Sequence, residues 1–431
     1  MDYLRIVGGN PLRGRLVISG AKNAALPLLC VPLLTEEKIT FSNMPCLKDI
    51  TTMTKILFEL GCEIHFSSQE YAKAPFGQVM TIQCSQVKHS EAQYDLIRQM
   101  RAGMLVLGPL LARHGFAKVS LPGGCAIGAR PVDIHLDAMR ALGADIELEN
   151  GYIIAKAPQG LKGTHIPLRF ASVGATEHIL MTAVLAKGTT TITNAAREPE
   201  IIDLADCLNK MGAKISGAGT DKITIDGVDK LHGATHAVMY DRIEAGTYMI
   251  AAAMTGGDLT LEGAVIADNE ALVERMRHAG IHIDILSDTS LRVLSQQTNH
   301  FKATDIETQP FPAFATDLQA QFMALMCLSD GVSMVDENIF ENRFMHVPEL
   351  MRMGASITIK GSTAHIKGID HFTGANVMAT DLRASSSLIL AALNATGETN
   401  IHRLYHLDRG YECIEEKLRF CGAVAERIKG E

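Results

Sequence analysis

The sequence predicts an α/β protein of two domains, built from six copies of one supersecondary unit, on three observations. First, a short signature recurs six times: the end of a helix, a glycine, and then residues of strand type. It reads Leu60-Gly61-Cys62-Glu63-Ile64, Leu142-Gly143-Ala144-Asp145-Ile146 and Met211-Gly212-Ala213-Lys214-Ile215 in the first half. The second half gives Ala279-Gly280-Ile281-His282-Ile283, Met353-Gly354-Ala355-Ser356-Ile357 and Cys421-Gly422-Ala423-Val424. Second, another helix stop recurs at Gly115, Gly188, Gly257, Gly331 and Gly397, each followed by strand-like residues. Third, the stretches 178–185, 249–254 and 388–393 are strongly apolar, on most helical faces, so they belong inside a domain with the sheets outside them.

Each element of the unit follows from local chemistry. The signature glycine closes a helix in the left-handed conformation and hands the chain to a strand. A hairpin comes next, as in Ala213-Lys-Ile-Ser-Gly-Ala-Gly-Thr-Asp-Lys-Ile-Thr-Ile225, where turn residues separate two alternating runs. The repeat is therefore helix, strand, helix, strand, strand, preceded by one more short strand: a βαβαββ unit. Spacings of about 70 to 80 residues make each copy a whole unit rather than a solenoid turn. Six units divide into two domains of three. The crossing lies near Val228 to Tyr240, and Asp241-Arg242-Ile243-Glu244 opens the fourth unit. The expected domains are residues 22–239, and 1–21 with 240–431, in an inside-out α/β barrel arrangement.

Composition narrows the function. The 431 residues suffice for a sizeable core in each domain, and 47% hydrophobic with 20% charged is ordinary for a globular chain. A net charge of −8 argues against a general nucleic-acid binder while leaving room for a local basic pocket. The longest apolar run, Ala24 to Leu34, is broken by Pro27 and Pro32 and is too short to cross a bilayer. The start lacks the pattern of a secretory signal, and the nine scattered cysteines read as reduced thiols, so a cytoplasmic protein is expected. Cys62 and Cys421 sit beside the repeated glycines and read as packing residues.

Chemistry concentrates in Leu121-Pro-Gly-Gly-Cys-Ala-Ile-Gly-Ala-Arg-Pro-Val-Asp-Ile-His135. Three glycines and two prolines describe an ordered turn whose backbone approaches something closely. A thiol near a fixed cation, Cys125 near Arg130, is a setting in which cysteine becomes reactive. Other candidates stand at loop ends: Lys22, Asn23 and Arg101 in the first domain, and Asp317, Arg343, Asp381, Arg383 and Arg409 in the second. Lys22-Asn23, Asp317 and Asp381 each precede an apolar helix, whose N-terminus suits a phosphate or carboxylate. Taken singly, the aspartates read as helix caps and the arginines as structural ion pairs. Together, several cations and one loop cysteine point to a polyanionic substrate. The sequence has no Gly-x-Gly-x-x-Gly after a first strand, no Walker-type Gly-Lys-Ser/Thr, no His-Glu-x-x-His, no Gly-x-Ser-x-Gly and no Cys-x-x-Cys. No metal and no organic cofactor are expected.

Longer strings carry a resemblance across essentially the whole chain. Ile18-Ser-Gly-Ala-Lys-Asn-Ala-Ala-Leu-Pro27, the Cys125 loop through Asp133, Ser172-Val-Gly-Ala-Thr176 and Asn194-Ala-Ala-Arg-Glu-Pro-Glu-Ile201 are similar to the enolpyruvyl transferases that act on UDP-N-acetylglucosamine, the MurA family. So are Phe340-Glu-Asn-Arg-Phe-Met-His-Val-Pro-Glu-Leu350, Met378-Ala-Thr-Asp-Leu-Arg-Ala384 and Tyr405-His-Leu-Asp-Arg-Gly-Tyr411. The resemblance implies the enolpyruvyl transferase fold, with the active site in the cleft between its domains. It implies transfer of enolpyruvate from phosphoenolpyruvate to the 3-hydroxyl of UDP-N-acetylglucosamine with loss of phosphate, the first committed step of peptidoglycan precursor synthesis. Cys125 then matches the general acid that protonates the methylene carbon, and Asp317 the base that accepts the hydroxyl proton. Lys22, Asn23, Arg130 and Arg409 match the groups around phosphoenolpyruvate, with Lys22 and Arg409 also counted as catalytic. Asn23, Arg101, Arg130, Pro131, Val132, Asp133, Ile134, Ser172, Val173, Gly174, Asp317 and Ile339 match the nucleotide-sugar contacts, supported by Arg343, Asp381 and Arg383. The same resemblance implies alkylation of Cys125 by the epoxide fosfomycin.

Departures are local. Phe170 stands where some members carry a lysine near the diphosphate, Ala315 replaces a proline, and Leu105 stands where some members have tryptophan. The segment from Ser67 to Lys88 is long for its place in the repeat and reads as an extended surface hairpin. Two other readings remain beside the main one: transfer to shikimate 3-phosphate, and a catalytically silent paralogue that binds UDP-sugars.

Overall fold

A computed structural model describes residues 2–67, 77–92, 94–98, 100–122 and 132–430. Cys125, Arg130 and Pro131, and the middle of the segment from Ser67 to Lys88, lie outside the described residues. The chain forms two compact units, one from residues 20–122 with 132–239 and the other from 2–19 with 240–430. They are termed here the central and the terminal unit. Each has its own hydrophobic core.

Inside each unit, helices form the core and sheets cover them. In the central unit the helices Lys22–Cys30 and Val173–Ala183 are buried along nearly their whole length, as are Leu107–Leu111 of the helix Leu107–His114. In the terminal unit Arg242–Met254, Gln319–Met326 and Ala384–Asn394 play the same part. A helix surrounded by protein can be apolar on all faces, which is why these segments lack an amphipathic stripe. The second helix of each repeat, such as Lys48–Leu60 or Pro199–Lys210, buries one face only.

The sheets share one plan. Strand His165–Pro167 runs parallel to Thr189–Thr193, which pairs antiparallel with Lys222–Asp226, which pairs antiparallel with Lys214–Ser216. The parallel step requires a crossover, and the buried helix Val173–Ala183 supplies it. Six such four-stranded sheets occur among the described residues, three in each unit, with one additional two-stranded pair. All six signature glycines adopt positive φ, between 93° and 106°. At the second set of stops one position is corrected. The left-handed residue is Gly256, not Gly257, because Gly257 lies against backbone, where an added Cβ would come 2.4 Å from the Leu12 carbonyl oxygen.

Two strands are exchanged relative to chain order. Arg13–Val17 precedes the first buried helix in sequence, yet it pairs in parallel with Asp258–Glu262 of the terminal unit. Thr235–Ala237 in turn pairs in parallel with Ile39–Met44 of the central unit. The N-terminal strand Tyr3–Val7 is inserted between Glu398–His402 and Val424–Ile428. Each unit is thereby closed by strands remote in sequence. Within the terminal unit a fully buried Lys417 anchors this junction: its Nζ donates to Ser19 Oγ and to Glu244 Oε1, both at 2.7 Å. Ser19 N–H donates to Glu244 Oε2 at 2.6 Å, and the Ser19 hydroxyl to Glu412.

Candidate active site

In the terminal unit, two arginines picked out from the sequence, Arg343 and Arg383, converge on the Asp317 carboxylate. Asp317 lies in a 3₁₀ turn, Thr316–Leu318, that leads into the buried helix Gln319–Met326. It is not a cap. Its Oδ1 accepts from Arg343 Nη2 at 2.7 Å, and Arg383 Nε stands 3.5 Å from its Oδ2. Both arginine side chains are almost wholly buried, while Asp317 keeps about a quarter of its side-chain surface (26%) open. The turn itself is tied down. Thr316 Oγ1 donates to the Glu337 carboxylate and accepts from Arg343 Nη1 at 3.1 Å, and Gln321 Nε2 donates to the Asp317 carbonyl oxygen at 2.9 Å. Glu337 Oε1 also accepts from the backbone N–H of Ile339 (3.0 Å) and Phe340 (3.1 Å). One buried carboxylate therefore fixes both the Asp317 turn and the backbone at Ile339.

Arg383 is held from several sides. Asp241 Oδ2 stands 3.7 Å from its Nη2, Gly410 O accepts from Nη1 at 3.4 Å, and the Tyr411 ring lies 5.5 Å from the guanidinium carbon. Burial opposes its charge, but Asp241, Tyr411 and Asp317 outweigh burial and hold its pKa above the ordinary value. Asp381 does act as a cap: its Oδ1 accepts from the N–H groups of Arg383 (2.8 Å) and Ala384 (2.9 Å) at the start of Ala384–Asn394. The two aspartates look alike in sequence and are used differently. Arg409 ends the 3₁₀ segment Leu404–Arg409, half-buried, directly before the Gly410 that contacts Arg383.

The central unit positions a second group. Lys22 opens its buried helix, with Nζ 3.8 Å from Asp49 Oδ2 and both side chains nearly buried. Asn23 follows it, half-buried. Arg101 opens the 3₁₀ segment Arg101–Val106, which continues into Leu107–His114. Val132 and Ile134 flank Asp133, the first residue of helix Asp133–Ala141. Asp133 Oδ2 accepts from Arg169 Nη2 at 2.5 Å, and this bond above all keeps the carboxyl below its usual range. Ser172 caps Val173–Ala183 by accepting from the Ala175 N–H at 3.3 Å, with Val173 and Gly174 in the first turn. The Asp133 and Ser172 segments are thus brought side by side through Arg169. Phe170, one of the departures, is half exposed, and Leu105 is buried.

Several participants had no signal in the sequence: Asp49 beside Lys22, Glu337 and Gln321 beneath Asp317, Asp241 and Tyr411 around Arg383. Apart from Gln321, four residues from Asp317, their partners lie 20 or more residues away along the chain. Among the described residues no group of three or more histidines, cysteines and acids could hold a metal ion, and no helix is long and apolar enough to cross a membrane.

A cradled carboxylate amid fixed cations can be matched against known families. The sequence model described as EPSP synthase (3-phosphoshikimate 1-carboxyvinyltransferase) matches residues 6–418. The chain belongs to the EPSP synthase family. Within that family it is 56% identical to a protein named UDP-N-acetylglucosamine 1-carboxyvinyltransferase from Dinoroseobacter shibae, over 430 residues and 100% of both chains. It is 53% identical to a protein of the same name from Caulobacter vibrioides, over 431 residues, 100% of this chain and 99% of the relative. Among solved structures, the enolpyruvyl transferase NikO from Streptomyces tendae superposes with a TM-score of 0.88 at 23% identity, covering 100% of this chain and 99% of that one. EPSP synthase from Acinetobacter baumannii gives 0.75 at 19% identity, with full coverage of both. These structures share the EPSP synthase family fold from end to end.

Proposed function

We propose that this chain transfers the enolpyruvyl group of phosphoenolpyruvate to the 3-hydroxyl of UDP-N-acetylglucosamine and releases phosphate, opening peptidoglycan precursor synthesis. The observation that carries this reading is identity of 53–56% over the full length to proteins named UDP-N-acetylglucosamine 1-carboxyvinyltransferase. Transfer to shikimate 3-phosphate is the weaker reading, because the solved EPSP synthases are only 19% identical.

The residue roles are those the family resemblance implies, and the chemistry supports them. Protonation of the methylene carbon of phosphoenolpyruvate builds positive charge on the adjacent carbon, and the sugar hydroxyl attacks there as a base takes its proton. Phosphate then leaves from the tetrahedral adduct as a proton is lost from the new methyl group, restoring the double bond. We assign the acid role to Cys125 and the base role to Asp317. The two arginines on Asp317 favour its ionised form, as a proton acceptor requires. Lys22, Asn23, Arg130 and Arg409 are assigned to phosphoenolpyruvate, where fixed cations stabilise departing phosphate. The nucleotide sugar is assigned to Asn23, Arg101, residues 130–134, Ser172, Val173, Gly174, Asp317 and Ile339. Arg343, Asp381 and Arg383 support Asp317 and its surroundings. An epoxide such as fosfomycin would alkylate the Cys125 thiolate and end turnover. The enzyme is expected to work in the cytoplasm without nucleic acid or membrane insertion.

The test is phosphate release from phosphoenolpyruvate by the purified protein, with UDP-N-acetylglucosamine and shikimate 3-phosphate offered in parallel. Release with the nucleotide sugar alone supports the proposal. Release with shikimate 3-phosphate, or with neither acceptor, overturns it.

A further inference from the structure

Two buried histidines in the central unit have no place in the chemistry above. His178 lies inside helix Val173–Ala183 and His135 inside helix Asp133–Ala141, with relative exposures of 0% and 6%. Their Nδ1 atoms are 3.1 Å apart. The other nitrogen of His178, Nε2, accepts from the backbone N–H of Gly108 at 2.8 Å. Gly108 belongs to a third helix, Leu107–His114. Only glycine permits this approach, since an added Cβ would lie 2.2 Å from Thr182 Oγ1 and 2.5 Å from His178 Cδ2.

The bonds fix the protons. A nitrogen that accepts from a backbone N–H carries none, so neutral His178 bears its proton on Nδ1 and donates to His135 Nδ1. His135 then bears its proton on Nε2. Burial holds both imidazoles neutral: it lowers the pKa of His135 to about 4, aided by Arg101 and opposed by Asp133, and it lowers that of His178 well below the ordinary value. The order is Gly108 N–H to His178 to His135, and it ends at the edge of the His135 ring. That edge faces Gly174, where an added Cβ would lie 3.4 Å from His135 Cε1 and 3.7 Å from Nε2.

The three tied helices each begin at a segment assigned to the nucleotide sugar. Arg101 opens the turn that runs into Leu107–His114, Val132 to Ile134 start Asp133–Ala141, and Ser172 to Gly174 start Val173–Ala183. We propose that His135 and His178 are positioning residues for the nucleotide sugar, holding these three segments in register through one proton-ordered chain of hydrogen bonds. This rests on the function proposed above and deepens it. Phosphoenolpyruvate shares Asn23 and Arg130 with the nucleotide sugar but takes none of its assigned groups from the Arg101 and Ser172 segments, so it depends less on the chain.

The experiment combines titration calorimetry, steady-state kinetics and nitrogen-15 spectra of histidine-labelled full-length protein. Wild-type spectra should show His178 protonated on Nδ1 and His135 on Nε2, with UDP-N-acetylglucosamine shifting the His135 signals and phosphoenolpyruvate alone leaving them in place. His178→Leu should raise the Kd for UDP-N-acetylglucosamine by about five- to tenfold, the effect of losing one or two neutral hydrogen bonds, with a clearly smaller change in the KM for phosphoenolpyruvate. His178→Gln, which keeps an acceptor for Gly108, should recover part of the loss. The opposite tautomers in the wild type, a Kd unchanged in folded His178→Leu, or an equal rise in both substrate constants would overturn the proposal. The spectra need no variant, so a His178→Leu protein that failed to fold would leave them to decide. Wild-type protein that bound no UDP-N-acetylglucosamine would instead overturn the proposed function, and this inference with it.

Discussion

Arg343→Ala should cripple turnover without unfolding the protein. Arg343 Nη2 donates to Asp317 Oδ1 at 2.7 Å from an almost fully buried side chain, and its Nη1 holds the same turn through Thr316. A hydrogen bond between charged groups contributes about 1.5–3 kcal/mol. Arg383, at 3.5 Å from the other oxygen, stays in place, so part of the field on Asp317 survives. If the lost bond serves a base that must be ionised and aimed, kcat falls by about 10- to 100-fold, at roughly 1.4 kcal/mol per factor of ten. Losing the cation also makes Asp317 easier to protonate, so the acidic limb of the kcat profile moves to higher pH. Phosphate release across a pH series reads both effects. A double variant with Asp317→Ala should be no worse than Asp317→Ala alone, because Arg343 acts through that carboxylate. An Arg343→Ala enzyme with kcat within twofold of wild type and an unmoved acidic limb would mean that Arg343 does not serve a catalytic Asp317.

Three further outcomes are expected. Lys417→Met removes the cation from Glu244 in a fully buried pair and should cost about 3–5 kcal/mol, seen in calorimetry as a transition lower by roughly 10 °C, while adding Glu244→Leu should restore only part of it, because the buried Ser19 N–H then loses its acceptor. His135 has a folded pKa of about 4, below an unfolded value near 6.5, so its contribution is complete above pH 6.5 and is lost as pH falls toward 4. Urea unfolding should show wild type losing about 2 kcal/mol more than His135→Gln between pH 7 and pH 5. Cys125→Asp should keep turnover and escape inactivation by fosfomycin, and Cys125→Ala should lose turnover; a fully active Cys125→Ala enzyme would remove the acid role.

The repeat was legible because its marker is a backbone requirement. At the six signature positions the chain needs positive φ, which side-chain-bearing residues avoid, so glycine stands there each time. The inner helices were legible for a similar reason: a segment such as Ala384–Asn394, buried on every face but its last residue, has no polar stripe to hide it. Gly256 and Gly257 could not be told apart in sequence, since one needs its conformation and the other its lack of bulk. Residues 1–21 were expected with 240–431, but the strand pairings behind such a grouping were not legible. Nothing local in Arg13–Val17 says that its parallel partner lies at Asp258–Glu262. The site divides in the same way. Asp317 and Asp381 both precede an apolar run; Asp381 caps through local N–H groups, while tertiary partners make Asp317 a cradled carboxylate. His178 sits in an apolar helix and reads as core filling, because its partners at Gly108 and His135 come from two other helices.

The reaction proposed for this chain is addition of the sugar hydroxyl to a protonated phosphoenolpyruvate, followed by loss of phosphate. The most direct measurement is the mass of the nucleotide product formed in deuterium oxide. Protonation of the methylene carbon makes a transient methyl group, so restoring the double bond should leave solvent deuterium in the vinyl group of an enolpyruvyl UDP-N-acetylglucosamine, with phosphate formed in equal amount. A nucleotide sugar of unchanged mass, or a product carrying the three-carbon group without deuterium, would rule this reaction out.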